Sequence, residues 1–312
     1  MKKLLFWTLS FIKADFSWIV YIYSALFLSL SIYLNYFTNS FRVLSEYSGT
    51  LSVLWYCAFY AVAYYGIALP QALFRKNTAP VCRLSFWCKS AFLILLLALV
   101  SSGILPNLIR ALPLPKAEMK YVLPLSFYLQ FWLVLLVPIM ILRYGFDRGQ
   151  KTLYGLSAFR PNSLPYLAII VFLLPLVIAA SFQIAFLLTY PLFKPWLHTP
   201  AFGLNLVQMT LLFECAYGGS LVLTELLFRG AFTLGMKTVL NRNVILPMVA
   251  VYVFTHFGKP PAEAIGSVFA GYFLGVLAYQ SNSITGGILV HIGIAYAMES
   301  AAFIQHYFRY FS

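Results

Sequence analysis

Long apolar runs, separated by short polar and basic segments, dominate the chain from residue 17 to residue 304. A helix needs about 20 mostly apolar residues to cross the hydrocarbon core of a bilayer. By this rule the pattern predicts about nine membrane spans, the seventh of them short: 17–36, 51–71, 90–109, 121–142, 165–190, 204–228, 243–257, 262–280 and 284–304. We therefore expect an all-α, polytopic membrane bundle of eight or nine transmembrane helices.

The segment before the first span has the lysines and the apolar stretch of a signal peptide. No small-residue cleavage site follows it, and a full span begins at once. The pattern therefore favours an interfacial anchor that carries Phe6, Trp7, Phe11 and Phe16.

Composition supports the membrane assignment and sets the class of partner. Of the 312 residues, 62% are hydrophobic and only 9% are charged, with a mean hydropathy of +0.85. Soluble domains carry about 25% charged residues. The chain is therefore predicted to be an integral membrane protein, with membrane lipids and a membrane-bound protein or peptide as its partners.

The net charge of +13 has a topological explanation. Of the 21 Lys and Arg residues, 14 fall on the side of the N-terminus and 7 on the other side, if spans alternate. This is the positive-inside pattern, so the N-terminus is expected in the cytoplasm and the C-terminus outside. We expect the inner membrane of a bacterium, and no binding of nucleic acid.

The chain divides into two parts by its acidic residues. Residues 1–200 form N-terminal transmembrane helices with no acidic residue inside a predicted span and no readable motif. Residues 201–312 hold almost every candidate chemical group: Glu214, Glu225, Glu263, Glu299, His256 and His291. Chemistry, if the protein is an enzyme, is expected in this second part.

Glu225 and Arg229 are the most informative pair, because both lie inside an apolar run that is expected to form a membrane-buried helix. A charge near the bilayer centre costs about 2.5–3.5 kcal/mol on insertion scales, so such residues are candidates for function. Their i, i+4 spacing places them on one helical face, where they can neutralise each other. His256 and His291 also stand in apolar surroundings, so the four residues are interpreted as a buried acid/base cluster.

Three short segments carry a family resemblance: TELLFR at 224–229, YVFTH at 252–256 and HIGIA at 291–295. In this order and spacing they resemble the CPBP family of intramembrane endopeptidases, also called the Abi or CAAX-protease family. The resemblance covers residues 204–300. It implies a helical membrane protease that cuts a membrane-tethered or lipidated protein.

The motifs match at most but not all positions. The first family motif is Glu-Glu-x-x-x-Arg, and Thr224, Glu225 and Arg229 stand in it. The second is Phe-x-x-x-His, where this chain has Tyr252 and His256. The third is His-x-x-x-Asn or similar, occupied by His291 and Ala295.

The departures at Thr224 and Ala295 affect the chemistry that the resemblance implies. In the family the first glutamate and the second-motif histidine activate water, but a threonine hydroxyl has no basic form near neutral pH. The third-motif histidine and asparagine stabilise the oxyanion, and losing one such donor costs about 10²–10³ in rate. Glu225 points about 100° away from Thr224 on a helix and is expected to pair with Arg229.

Three functions stay open: an endopeptidase with a substitute base, a catalytically impaired member that binds a membrane partner, and a small transporter. Glu225 and Glu214 are the candidate bases. Glu214 lies about 16 Å from Glu225 along an unbroken helix, and only a break at Gly218-Gly219 would bring it closer. The transporter would use the same break. Glu299 could face the cavity of His291.

No cofactor is expected. Two histidines and a carboxylate could hold a divalent ion with one open position. There is, however, no His-x-x-x-His pair and no Cys-x-x-Cys spacing, and the resemblance implies glutamate-dependent rather than metal-dependent chemistry.

Overall fold

The computed structural model describes residues 2–47, 49–156 and 163–311, and within these ranges the regular elements are helices. The long helices are α1 Lys2–Asp15, α2 Trp18–Thr38, α3 Gly49–Phe74, α4 Leu84–Ser101, α5 Lys116–Phe131, α6 Leu164–Ser181, α7 Leu206–Glu225, α8 Ile245–Phe254, α9 Pro261–Ser281 and α10 Thr285–Phe311. Short helices lie at Ser40–Ser45, Ile104–Ile109, Val137–Ile141, Ile184–Thr189 and Lys237–Leu240. Segments Trp132–Leu136, Leu142–Phe146 and Leu226–Gly235 are π-helical, and Pro195–Leu197 and Asn241–Val244 are 3₁₀-helical.

The described residues contain eight helical stretches long and apolar enough to cross a membrane. This confirms an all-α, polytopic integral membrane protein. The sixth stretch, Leu206–Phe254, is 49 residues long and merges two of the predicted spans. It does so because the residues between these two spans are helical as well, at Leu226–Gly235, Lys237–Leu240 and Asn241–Val244. One predicted span, 165–190, is too long, since α6 ends at Ser181 and a separate short helix follows.

Helix α7, which leads into the candidate site, begins with a capping box. The side chain of Asn205 accepts from the backbone N–H of Gln208, whose side chain accepts from the backbone N–H of Asn205. The helix then runs through Gly218-Gly219 without a break. A Cβ at Gly218 would lie 2.1 Å from Tyr296 Oη. This glycine therefore permits a close approach of α10, and the break considered from the sequence is absent.

The N-terminal helix α1 packs onto the bundle with one face. Phe6 is 67% exposed, as an interfacial residue would be, but Phe11 is only 1% exposed. The Phe11 ring contacts Tyr272 and Tyr279 of α9, with centroids 6.4 and 5.4 Å away. The interpretation of Phe11 as an interfacial anchor is therefore wrong, because this face of α1 is covered by α9.

Helix α10 is covered by α6 through two glycines. A Cβ at Gly286 would lie 2.2 Å from two ring atoms of Tyr166, and one at Gly293 would lie 2.4 Å from Ile170. Small residues let helix backbones approach closely in lipid, where no hydrophobic effect drives helices together. The position of α10, and hence of His291, depends on this contact.

Replacing Gly286 with Ala is expected to destabilise the protein, since the added methyl group meets a ring rather than a flexible chain end. Overpacking of this kind costs about 1–3 kcal/mol. Gly266→Ala is the matched control, because nothing lies within 4 Å of a Cβ there. Thermal unfolding in detergent should show a lower midpoint for Gly286→Ala alone. Equal midpoints for the two variants would contradict the packing described.

Candidate active site

Glu225 and Arg229 form an ion pair in the interior of the protein. Glu225 is the last residue of α7, and Arg229 lies in the π-helix that continues it. The Nη1 of Arg229 donates to Oε1 of Glu225 at 2.9 Å, and both side chains are 0% exposed. The pairing expected from the i, i+4 spacing is present. Arg229 is a core residue.

His291 of α10 approaches the same carboxylate oxygen from another helix. Its Nδ1 lies 2.9 Å from Oε1 of Glu225, and its side chain is 19% exposed. The approach depends on Gly287, where a Cβ would lie 2.5 Å from Oε2 of Glu225. One oxygen atom thus joins α7, the π-helix and α10.

Tyr252 of α8 connects His256 to this centre. Its ring faces the guanidinium of Arg229, and the ring centroid lies 4.2 Å from Cζ of Arg229. This cation–π contact stabilises the positive charge of Arg229. The backbone carbonyl of Tyr252 accepts from Nδ1 of His256 at 2.8 Å, and the two rings are 4.6 Å apart. His256 and His291 therefore both lie beside the Tyr252 ring, whose centroid is 6.4 Å from that of His291.

The partners of the two imidazoles assign their tautomers. A carbonyl oxygen can only accept, so Nδ1 of His256 carries a hydrogen. The ionised carboxylate of Glu225 is likewise an acceptor, so Nδ1 of His291 carries one too. In a neutral imidazole the second nitrogen then has a free lone pair. Each histidine therefore offers Nε2 as a hydrogen-bond acceptor.

The two departures from the family motifs lie where they supply no chemistry. The hydroxyl of Thr224 donates to the carbonyl of Ser220 at 2.9 Å, within its own helix. Ala295 is buried in an apolar and tyrosine-rich cluster with Phe213 and Tyr217. The structure therefore provides neither a base at position 224 nor a hydrogen-bond donor at position 295.

In the described ranges, the remaining acidic residues of the second part make no hydrogen bond to these site residues. Glu299 accepts from the backbone N–H of Leu192, and Glu263 accepts from Tyr190. Both carboxylate oxygens of Glu214 are buried without a hydrogen-bond partner among the described residues. Because α7 is unbroken between Glu214 and Glu225, Glu214 stays three helical turns away and is not a base for this site.

Sequence reasoning missed two features of the site. One is the carbonyl of Tyr252, for which the i, i+4 spacing to His256 on a helix was an available signal. The other is Gly287, whose role depends on a residue 62 positions earlier and left no local signal. Among the described residues no group of three His, Cys, Asp or Glu side chains is placed to hold a metal ion.

Comparison with known proteins agrees with the class that the fold and the motifs suggest. Residues 206–297 match a family model described as type II CAAX prenyl endopeptidase Rce1-like. The match begins at the first residue of α7 and contains the motif positions from Thr224 to Ala295. It confirms the resemblance of this part of the chain to the CPBP, or CAAX-protease, family. No curated protein and no solved structure matches the chain.

Replacing Arg229 with Leu is expected to destabilise the protein strongly, because it leaves the Glu225 carboxylate buried without its cation. Breaking one side of a buried pair costs about 3–5 kcal/mol. The comparison variant is Arg110→Leu, which removes a charge from an exposed position. Protein level in the membrane and the melting midpoint in detergent measure the effect. Normal values for Arg229→Leu would mean that the pair is not structural.

Proposed function

We propose that the protein is an intramembrane endopeptidase of the CAAX type, which hydrolyses a peptide bond in a membrane-tethered or lipidated protein. The observation that supports it best is the contact of Glu225 with both Arg229 and His291, beside His256, in the interior of a membrane bundle. Packing alone does not explain a buried acid/base centre of this kind, because apolar residues of similar volume often stabilise a fold as well or better.

The site residues divide into three roles in this proposal. His256 holds the attacking water through Nε2, while the carbonyl of Tyr252 fixes its ring. Arg229 keeps Glu225 ionised, and Glu225 orients His291. Thr224 supplies no base, so the group that removes the proton from water must be another residue.

The reaction is proposed without a metal or other cofactor. A divalent ion at this site would take the carboxylate of Glu225 as its acidic ligand, and Oε1 of that carboxylate already accepts from Arg229 and from His291. It would also face the guanidinium of Arg229, a fixed positive charge 2.9 Å from that oxygen.

A second candidate function is a family member that keeps the fold and binds a membrane protein without cleaving it. The inert contacts of Thr224 and Ala295 favour it. A transporter has no such support, because the break at Gly218-Gly219 on which it relied is absent from α7.

We further propose the inner membrane of a bacterium as the location, with the N-terminus in the cytoplasm and the C-terminus outside. The asymmetry of the basic residues supports this orientation. The stretch Leu206–Phe254 counts as the two predicted spans that it merges, so the number of crossings is odd. Alkaline phosphatase fused after Ser312 should be active, and green fluorescent protein at the same point should be dark. The reverse pattern would contradict the orientation.

Cleavage should increase when the family residues are restored. The assay uses the purified chain in detergent and an internally quenched peptide that ends in a prenylated CAAX sequence. Thr224→Glu is expected to raise the rate, because it returns a carboxylate to the position at which the resemblance places the base, in addition to any base that the native chain already has. Adding Ala295→Asn should raise it by up to about 10²–10³ more.

Thr224→Gln is the matched control, since it has the size of glutamate but no basic form. Its rate should stay at that of the native chain. If neither the native chain nor the Thr224→Glu, Ala295→Asn variant cleaves the peptide, the scaffold function replaces the endopeptidase.

A further inference from the structure

We propose that His291 is the general base of this site and that Glu225 is its positioning residue, so that the base has moved from the side chain at 224 to α10. This assignment rests on the proposed function. It differs from the role that the family resemblance implies for the third-motif histidine, which is to stabilise the oxyanion.

Glu225 is too enclosed to take a proton from water itself. Its side chain is 0% exposed, and Oε1 already accepts from Arg229 and from His291. Oε2 has no hydrogen-bond partner among the described residues, but the backbone at Gly287 lies against it. A water molecule has no room beside Oε2 on that side.

His256 is oriented by a weaker partner than His291. Its Nδ1 donates to the neutral carbonyl of Tyr252. When an imidazole accepts a proton, an adjacent carboxylate stabilises the resulting cation far better than a neutral carbonyl does, because the hydrogen bond is charge-assisted. His256 is therefore suited to hold water, and His291 to remove its proton.

His291 has the geometry that a general base requires. Its Nδ1 lies 2.9 Å from the Glu225 carboxylate, which holds the tautomer with a free lone pair on Nε2. In the part of the chain that the structure describes, Nε2 makes no hydrogen bond, and the side chain is 19% exposed. The nitrogen that would take the proton is thus the one that makes no other hydrogen bond, on a side chain that is partly exposed.

The same geometry explains how the site can function with Thr224. Thr224 bonds to its own helix, whereas Glu225 points to α10. A carboxylate that cannot reach water directly acts through the imidazole that it orients. The carboxylate-imidazole pair then supplies the function that the family places on the first glutamate.

The step balances without any co-reactant. The oxygen of water attacks the carbonyl carbon of the scissile peptide bond while Nε2 of His291 takes one proton from that water. The C–N bond then breaks, and His291 returns the proton to the leaving amine nitrogen. The products are a carboxylic acid, which ionises, and an amine.

The test compares two substitutions of His291 in the prenylated-peptide assay. His291→Asn can keep a donor to Glu225 but has no base, and His291→Gln can keep a donor near the position of Nε2 but has no base. We expect both to lose about 10²–10⁴ of the native rate, the usual contribution of a general base. His198→Gln, at a histidine outside the site, should retain it.

Rescue separates a base from an oxyanion donor. Adding Thr224→Glu to His291→Gln should raise the cleavage rate at least tenfold above that of His291→Gln alone, because it returns a base to the position that the family uses. Adding Thr224→Gln should restore nothing. Melting in detergent checks that His291→Asn folds like the native chain; if it does not, His291→Gln and its rescue decide.

The outcomes distinguish the assignment from the function on which it rests. If His291→Gln cleaves within tenfold of the native rate, His291 is not the base. The same conclusion follows if Thr224→Glu does not restore the activity that His291→Gln loses. Cleavage by the native chain in the same experiment would leave the endopeptidase function standing. If no variant and no native chain cleaves the peptide, the function is rejected and the base assignment with it.

Discussion

The burial of one carboxylate, that of Glu225, is the constraint on which this part of the structure depends. A charge in the interior of a membrane protein must be paired and hydrogen-bonded, because apolar surroundings do not solvate it. Arg229 supplies the charge and His291 a second donor, both to Oε1. Through Arg229 the network extends to the ring of Tyr252, and through its carbonyl to His256. Three helical segments thus meet around one acceptor atom, and α8 joins them through Tyr252.

Such a meeting is possible only where the backbones come close, and glycines provide the space. Gly287 lets α10 pack against Glu225, and Gly286 lets Tyr166 of α6 pack against α10. Gly271 of α9 lies against Tyr252, where a Cβ would be 3.0 Å from the ring. In lipid the association of helices relies on this close contact and on interhelical hydrogen bonds. The glycines therefore position the site, although none of them takes part in chemistry.

The site differs at two positions from the motifs of the family that it resembles, and the structure gives each difference a physical meaning. Thr224 satisfies its hydroxyl within α7, and Ala295 fills an apolar cluster, so neither residue disturbs the fold. The carboxylate-imidazole pair of Glu225 and His291 remains, with His256 beside it. An endopeptidase built on this pair would lack the donor at position 295 and should turn over slowly. The missing base at position 224 and the missing donor at position 295 are also compatible with a protein that uses this fold for binding alone.

The sequence by itself determined the membrane class, most of the spans and the pairing of Glu225 with Arg229. Each of these follows from local spacing: apolar runs have the length of a bilayer crossing, and i, i+4 residues share a helical face. Only the tertiary structure decided that His291 bonds to Glu225, that Phe11 is covered by α9, and that Glu214 stays outside the site. These depend on which helices are neighbours and how closely they approach. Spacing along one helix carries no information about the distance to another.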